Sequence, residues 1–207
     1  MKFKVQRIGH ADLAIRTRWL NDDRVSTFQF LAGPVTLQST TSWYHRVKHI
    51  DVRCDLAFRD PSGKCLGMAG LTSINTVSAN AEFYIFINPD FQGRGVGKAV
   101  TEWMLFYAFR IRKLLKVYLY VDPRNTRAVK LYENLHFTRE GVLRKHRSKA
   151  GVLFDMHVYG ILKDEWLAGR TSPQLQSETY CFARGPEPGT FNPDDYVETT
   201  GPLQTGG

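Results

Sequence analysis

Residues 92–99, QGRGVGKA, have the spacing in this chain that is most suited to holding a ligand. Three glycines alternate with other residues at positions 93, 95 and 97, between an apolar run and a segment of helical periodicity. Glycine lets the backbone approach a ligand closely and direct several N–H groups at one point. The helix that begins here adds unpaired N–H groups and the positive end of its dipole. Together these features indicate a phosphate-binding turn.

Two common phosphate motifs do not match this turn. A P-loop requires Gly at position 92 and Ser or Thr at position 99, where the chain has Gln92 and Ala99. A dinucleotide fingerprint requires Gly or Ala at position 98, where Lys98 stands, and an acidic residue about 20 positions later, in a segment that is basic here. An ordinary glycine-rich turn is the alternative that the glycines alone leave open.

A second informative stretch follows the predicted helix. Residues 116–121 alternate between apolar and other side chains, which predicts a short strand. Residues 122–125, DPRN, then form a turn that can start a helix. Four side chains recur at helical spacing and share one face: Ala128, Leu131, Tyr132 and Leu135.

These two stretches together resemble the GNAT N-acetyltransferases, which bind acetyl-coenzyme A. The order Gln-x-x-Gly-x-Gly at 92–97 is similar to the pyrophosphate loop of that family, and residues 125–137 are similar to its N-x-x-A-x-x-L-Y-x-x-x-G-F block. His136 replaces the expected Gly, which changes how the helix ends, because the left-handed conformation is harder for His. The resemblance implies an enzyme that needs acetyl-CoA as cosubstrate.

The order of predicted elements is β-α-α-β-β-β-α-β-α-β-β, which is typical of an α+β fold, a mixed α/β sheet with helices on both faces. It matches the GNAT fold over residues 1–169, and residues 140–145 and 159–166 resemble the closing hairpin of the RimJ/RimL-like branch. Residues 170–207 are rich in Pro, Gly, Ser and Thr and predict a C-terminal tail, partly extended or disordered.

The net charge of +8 is distributed unevenly. The predicted tail has two basic and five acidic residues, so residues 1–169 carry +11. Such a charge suits nucleic acid or a ligand with several phosphates, as coenzyme A has. Because the basic residues are scattered and no RNA-binding motif with interleaved aromatic residues is present, we do not expect a nucleic-acid partner.

The hydropathy and the cysteines argue against a membrane protein, a secreted protein and a metal-binding protein. No run approaches the roughly 18 apolar residues of a membrane span, and the N-terminus has no signal-peptide pattern, so we expect a cytoplasmic protein without a membrane partner. Cys54, Cys65 and Cys181 are odd in number and fit no metal spacing, which favours reduced cysteines and no metal cofactor.

The family resemblance implies direct transfer of an acetyl group to a primary amine. The strand before the glycine turn, at Phe86 and Ile87, would hold the thioester with backbone groups in the manner of an oxyanion hole. Asn125 would bond the pantetheine arm or cap its helix. The complete predicted cosubstrate set is Phe86, Ile87, Gln92, Gly93, Arg94, Gly95, Val96, Gly97, Lys98, Asn125 and Ala128.

Two residues are predicted to move protons. Tyr132 occupies the acid position of the family, and a phenol of ordinary pKa near 10 keeps its proton until a thiolate forms; the alternative is a core aromatic residue. Glu82 is the first candidate for a base that acts through water or attracts the ammonium, and the alternative is a solvated charge at the strand end. Asp155 and His146 are further base candidates.

The acceptor is less well defined by the sequence. The family places it between the first two helices and the closing hairpin, where the predicted contacts are Trp19, Asn21, Asp22, Trp43, Tyr44 and Asp155. We expect a small amine of the amino-sugar or polyamine type, and the N-terminal amine of a protein is the alternative. A coenzyme A-binding module or an RNA- or ribosome-binding module without catalysis also stays open, and a homodimer is implied only by the family.

Overall fold

The computed structural model describes residues 1–31 and 33–169. Within these ranges seven strands form one sheet in the order β1-β2-β3-β4-β5-β7-β6, in which only β4 and β5 are parallel neighbours. The strands are β1 Lys4–Arg7, β2 Cys54–Arg59, β3 Cys65–Asn75, β4 Asn80–Ile87, β5 Lys116–Val121, β6 Thr138–Lys149 and β7 Val152–Leu162.

The helices confirm the predicted order and add two short segments. They are α1 His10–Leu20, α2 Asp23–Ser26, α3 Leu37–Val47, α4 Val96–Phe106, α5 Thr126–Asn134 and α6 Lys163–Ala168, with a π-helical turn at Tyr107–Ile111 after α4. The sequence did not indicate α2 and α6, because helices this short have little periodicity. The predicted tail, 170–207, lies outside the described residues.

Local backbone geometry explains where α3 begins, how the final hairpin turns and how α5 ends. Thr36 caps α3, since its hydroxyl accepts a hydrogen bond from the Ser39 N–H at 3.0 Å. The final hairpin has long strands because its turn consists only of Ala150 and Gly151, both with positive φ. His136 adopts a φ of 64° at the end of α5, so it takes the left-handed conformation that the family gives to glycine.

The two faces of the sheet are covered by different helices. On one face α4 and α5 cover a core that includes Phe83, Val100 and Trp103. On the other face α1 and α3 cover Met68 and Phe86. Successive side chains of β4 therefore point alternately into two separate environments, as the period of a strand requires.

Tyr84 crosses the second face of the sheet to reach another strand. Its hydroxyl hydrogen-bonds Asp55 on β2, and Asp55 also accepts two hydrogen bonds from Arg53 at 2.7 and 2.9 Å. The ring passes over Gly70 on β3: a Cβ at Gly70 would lie 2.4 Å from the backbone oxygen of Cys54 and 2.6 Å from the ring. The absent side chain at Gly70 thus makes this crossing possible.

We predict that Gly70→Ala lowers the free energy of unfolding by about 1–3 kcal/mol, because the new methyl group overlaps backbone that cannot move freely. Urea denaturation measures the change. The matched control is Gly141→Ala on β6, where a Cβ meets no atom within 4 Å and stability should be unchanged or slightly higher. Equal midpoints for the two variants would contradict this account of Gly70.

Candidate active site

The glycine turn connects β4 to the N-terminus of α4. Gly93 and Gly95 have φ values of 77° and 80°, and Gly95 is the N-cap of α4. A Cβ at either glycine would meet no atom within 4 Å. Because these positions need the left-handed conformation and leave the backbone uncovered, the turn presents free N–H groups at the positive end of an eleven-residue helix.

Val96 and Gly97 contribute to packing. The side chain of Val96 is buried in the core beneath the turn. A Cβ at Gly97 would lie 3.3 Å from Leu131 Cδ2, so the missing side chain lets α4 approach α5 closely. Only the backbone of these two residues is in a position to meet a ligand.

Gln92 ties the turn to two other elements. Its Oε1 accepts a hydrogen bond from Arg127 Nη1 on α5 at 3.0 Å, and its Nε2 donates to the backbone oxygen of Arg24 on α2 at 3.4 Å. Arg94 lies over the ring of Phe91, and Lys98 has a mostly exposed side chain. Gln92 therefore positions the turn, while Lys98 remains accessible to an anionic ligand.

A cleft of about 830 Å³ begins at this turn and runs between β4 and β5. It brings together most of the predicted cosubstrate and catalytic residues. The predicted residues that line it are Glu82, Phe86, Ile87, Gln92, Gly93, Gly95, Gly97, Lys98, Asn125, Ala128 and Tyr132.

The cleft exists because β4 and β5 stop pairing. Their register covers only Asn80–Glu82 against 116–118, although β4 continues to Ile87 and β5 to Val121. The Asn88 N–H bonds to Leu66 on β3, so by alternation Phe86 also directs its backbone groups to β3. The backbone groups of Ile85 and Ile87 therefore face the opening, so of the two residues named for the thioester contact, Ile87 presents its backbone to the cleft and Phe86 presents its backbone to β3.

Tyr132 lies on the α5 side of the cleft and is buried, with 6% of its surface exposed. Its ring contacts Phe83 edge to face, with centroids 6.5 Å apart. Burial raises the pKa of its hydroxyl, and no charged or hydrogen-bonding neighbour among the described residues contributes to that shift. The Tyr132 hydroxyl therefore stays protonated at neutral pH, at a residue that lines the cleft.

Glu82 is the last residue of β4 that pairs with β5. Its side chain lies on the opposite face of the sheet from Phe83, which contacts Tyr132. Burial raises the pKa of its carboxyl group, and the charges of Arg147 and Arg53 and a hydrogen bond with Thr72 lower it to a smaller extent. A carboxylate with a raised pKa is a better proton acceptor than a solvated one.

Asn125 caps α5, because its Oδ1 accepts a hydrogen bond from the Ala128 N–H at 3.2 Å. This is one of its two predicted roles. Its place on the cleft leaves its amide group next to any ligand held there.

Sequence reasoning missed several cleft residues. Four of them are arginines, and others form an apolar roof from the segment after α2 and from β7: Arg24, Arg124, Arg127, Arg147, Phe28, Phe30, Leu31 and Met156. Arg124 and Arg127 flank Asn125 in a stretch already singled out, so proximity could have indicated them. The roof residues have no motif and are brought in by tertiary packing.

The acceptor contacts expected from the sequence do not line this cleft in the described part of the chain. Trp19 is buried in the core, and Asn21 fixes the loop at Val35 with hydrogen bonds of 2.7 and 2.8 Å. Asp22 caps α2 and pairs with Arg24 at 2.7 Å. These polar groups are used within the protein itself.

The other three expected acceptor contacts also have local partners. Trp43 lies under the guanidinium of Arg16, with 4.0 Å from its ring centroid to Cζ. Tyr44 packs edge to face against His10. Asp155 accepts a hydrogen bond from the Lys145 N–H at 2.7 Å.

No cluster of three or more His, Cys, Asp or Glu side chains with metal-binding geometry occurs among residues 1–31 and 33–169. Cys54 and Cys65 are buried free thiols. In this part of the chain, none of the helices has the length and hydrophobicity of a membrane span.

Comparison with known proteins agrees with this geometry. The family model for the acetyltransferase (GNAT) domain matches residues 4–138. The chain belongs to the GNAT acetyltransferase family. This GNAT chain is 34% identical over 163 residues to a spermidine N(1)-acetyltransferase of Vibrio cholerae, a match covering 79% of the chain and 94% of the relative. It is 29% identical over 104 residues to a putative ribosomal N-acetyltransferase of Bacillus subtilis, covering 50% of the chain and 57% of that relative.

The solved structures similar to this GNAT chain include the spermidine N-acetyltransferase of Vibrio cholerae in complex with CoA and spermine. The TM-score is 0.75 at 27% identity, and the match covers 80% of this chain and 98% of the other. The predicted family and fold are confirmed, and the described GNAT domain corresponds to nearly the whole length of that enzyme.

We predict that Gly95→Ala weakens acetyl-CoA binding about tenfold or more, because the methyl group covers the N–H groups of the turn and the residue must keep a φ of 80°. Isothermal titration calorimetry measures the dissociation constant. Gly63→Ala is the matched control: Gly63 has a φ of 87° in the β2–β3 turn and does not line the cleft. Comparable affinity loss in both variants would contradict a ligand role for Gly95.

Proposed function

We propose that this GNAT acetyltransferase moves an acetyl group from acetyl-CoA directly to a primary amine of a polyamine or a similar small amine. The observation that carries the proposal is the unpaired stretch of β4 and β5, which opens between a phosphate-binding turn, Tyr132 and Glu82. The acceptor class is supported by relatives named spermidine N-acetyltransferases.

The phosphates of the cosubstrate would lie on the N–H groups of the glycine turn. Lys98 and Arg127 border the same end of the cleft and add positive charge. The N–H and C=O groups of Ile85 and Ile87 would hold the pantetheine arm and the thioester, as an added strand does. When bound, acetyl-CoA supplies the activated acetyl group, and the open edge of β4 orients it.

The acceptor amine must lose a proton before it attacks. An amine with a pKa of about 10.4 is neutral in roughly one of 2,500 molecules at pH 7, a cost of about 4.6 kcal/mol. Glu82 would attract the ammonium group and accept its proton, directly or through water. Its raised pKa brings it closer to the pKa that suits a base at neutral pH.

The leaving thiolate must gain a proton. Tyr132 would donate it, since this residue lines the cleft on the α5 side and burial keeps its hydroxyl protonated. The same apolar surroundings raise the pKa of the thiol and that of the phenol, so the transfer stays uphill and would be coupled to collapse of the intermediate.

The N-terminal amine of a protein is the second candidate acceptor, because one relative is named a putative ribosomal N-acetyltransferase. It ranks lower because Lys149 Nζ on the closing hairpin donates hydrogen bonds to the backbone oxygens of Ser26 and Thr27, at 2.7 and 3.2 Å. These bonds hold the hairpin against the segment after α2, which contributes Phe28 and Phe30 to the cleft lining and narrows the space for a protein chain. The RimJ/RimL-like placement and a homodimer remain proposals with the same family support.

We predict that Tyr132→Phe lowers kcat about 100-fold while the dissociation constant of acetyl-CoA changes little, because only the proton donor is lost. Thiol release with spermidine measures kcat, and calorimetry measures binding. Tyr159→Phe is the control: it removes a buried hydroxyl that bonds Glu133 at 2.9 Å outside the cleft. Full activity of Tyr132→Phe would refute the assigned role.

We predict a pH effect that belongs to Glu82. A base acts in its deprotonated form, so kcat/KM should fall as pH drops through the Glu82 pKa, at a pH above the ordinary 4.5 of a glutamate. Glu82→Gln should lower kcat/KM about 10- to 100-fold at pH 7 and lose this step, leaving only the slope due to the amine. Glu140→Gln, which removes a partner of Lys116, should keep the wild-type profile.

A further inference from the structure

The acceptor end of the cleft has very little negative charge. Its two carboxylates are Glu82 and Asp122 among the described residues. Asp122 is already engaged, since Arg124 Nε hydrogen-bonds its two oxygens at 2.9 and 3.1 Å. Glu82 has no ion pair with a Lys or Arg within the described ranges, so it is the one carboxylate there that can receive an ammonium group.

Arg147 differs from the other cations of the cleft. Arg24 pairs with Asp22 and Asp90, and Arg127 hydrogen-bonds Gln92. In the part of the chain that the structure describes, Arg147 has no carboxylate within ion-pair distance, as is also true of Arg127, and no side-chain hydrogen bond like that of Arg127 with Gln92 holds it. Its charge therefore acts on whatever occupies the cleft.

Arg147 is an exposed residue of β6 that the closing hairpin brings to the same cleft as Glu82. It pairs with Phe154 across β6 and β7, and Phe154 packs against Phe30 of the roof with ring centroids 5.6 Å apart. Both Arg147 and Glu82 line the cleft, and the charge of Arg147 lowers the pKa of Glu82 more than any other neighbouring charge. When one amino group of a polyamine lies at Glu82, the rest of the molecule consequently lies near Arg147 or near the apolar roof.

We propose that Arg147 determines acceptor specificity by penalising every ammonium group beyond the one that reacts. This inference rests on the proposed function and names the members of the acceptor class that the site favours. Glu82 neutralises the reacting ammonium group, and the rest of the cleft lining offers cations, apolar side chains and neutral polar groups such as Gln29 and Tyr120, but no free carboxylate in the described ranges. The site therefore favours amines of low charge: a monoamine or diamine over spermidine, and spermidine over spermine.

The test compares kcat/KM for butylamine, 1,4-diaminobutane, spermidine and spermine at low salt. The wild-type values should fall along this series. Arg147→Gln should raise kcat/KM for spermidine and spermine about three- to tenfold and that for butylamine by a smaller factor, as expected for one partly screened like charge. Arg147→Glu should raise the polyamine values further, and Arg147→Lys should keep the wild-type ranking.

Arg144→Gln is the matched control, since it removes the same charge from an exposed residue of β6 that does not line the cleft. Its ranking of the four amines should equal that of the wild type. Raising the salt to about 0.5 M shortens the Debye length to a few ångströms and should reduce the Arg147 effect. A wild-type preference for spermine, or a loss of spermidine activity in Arg147→Gln, overturns the inference while leaving the proposed function in place. Absence of turnover with all four amines in every variant overturns both.

Discussion

The early end of pairing between β4 and β5 is the constraint on which the rest of the site depends. After Glu82 and Tyr118 the two parallel strands separate, and the backbone groups of Ile85 and Ile87 lose a protein partner. Buried backbone groups without a partner are costly, so this opening must be filled by solvent or by a ligand that hydrogen-bonds like a strand. A cosubstrate with amide groups along its length suits that requirement.

The same strand also separates the two proposed proton-transfer residues. Because β4 alternates its side chains, Phe83 directs its ring toward Tyr132 and the α5 face, while Glu82 lies on the face that α1 and α3 cover. The proposed acid and base thus approach the opening from opposite sides. An amine arriving from the Glu82 side and a thiol leaving toward Tyr132 would not compete for the same space.

The electrostatics of the cleft differ between its two ends. At the turn, uncovered N–H groups and Lys98 make a site for phosphate that costs little to preorganise, because Gly93 and Gly95 already have the required conformation. At the other end, the half-buried carboxylate of Glu82 lines the same cleft as Arg147 and an apolar roof. The first arrangement serves the cosubstrate shared by the family, and the second is where this chain can differ from its relatives.

The sequence by itself determined the fold class, the glycine turn, the α5 block and the β5 strand, whose predicted limits 116–121 are those observed. These features follow from local spacing, which a helix or strand converts directly into a face or a turn. Only the tertiary structure decided which side chains reach the acceptor. Trp19 and Asn21 were expected there but are used for packing and loop anchoring, whereas Arg147 is brought in by a hairpin whose Lys149 bonds Ser26, 123 residues away. Contacts between residues so distant in the chain depend on how whole elements pack, and no local pattern encodes them.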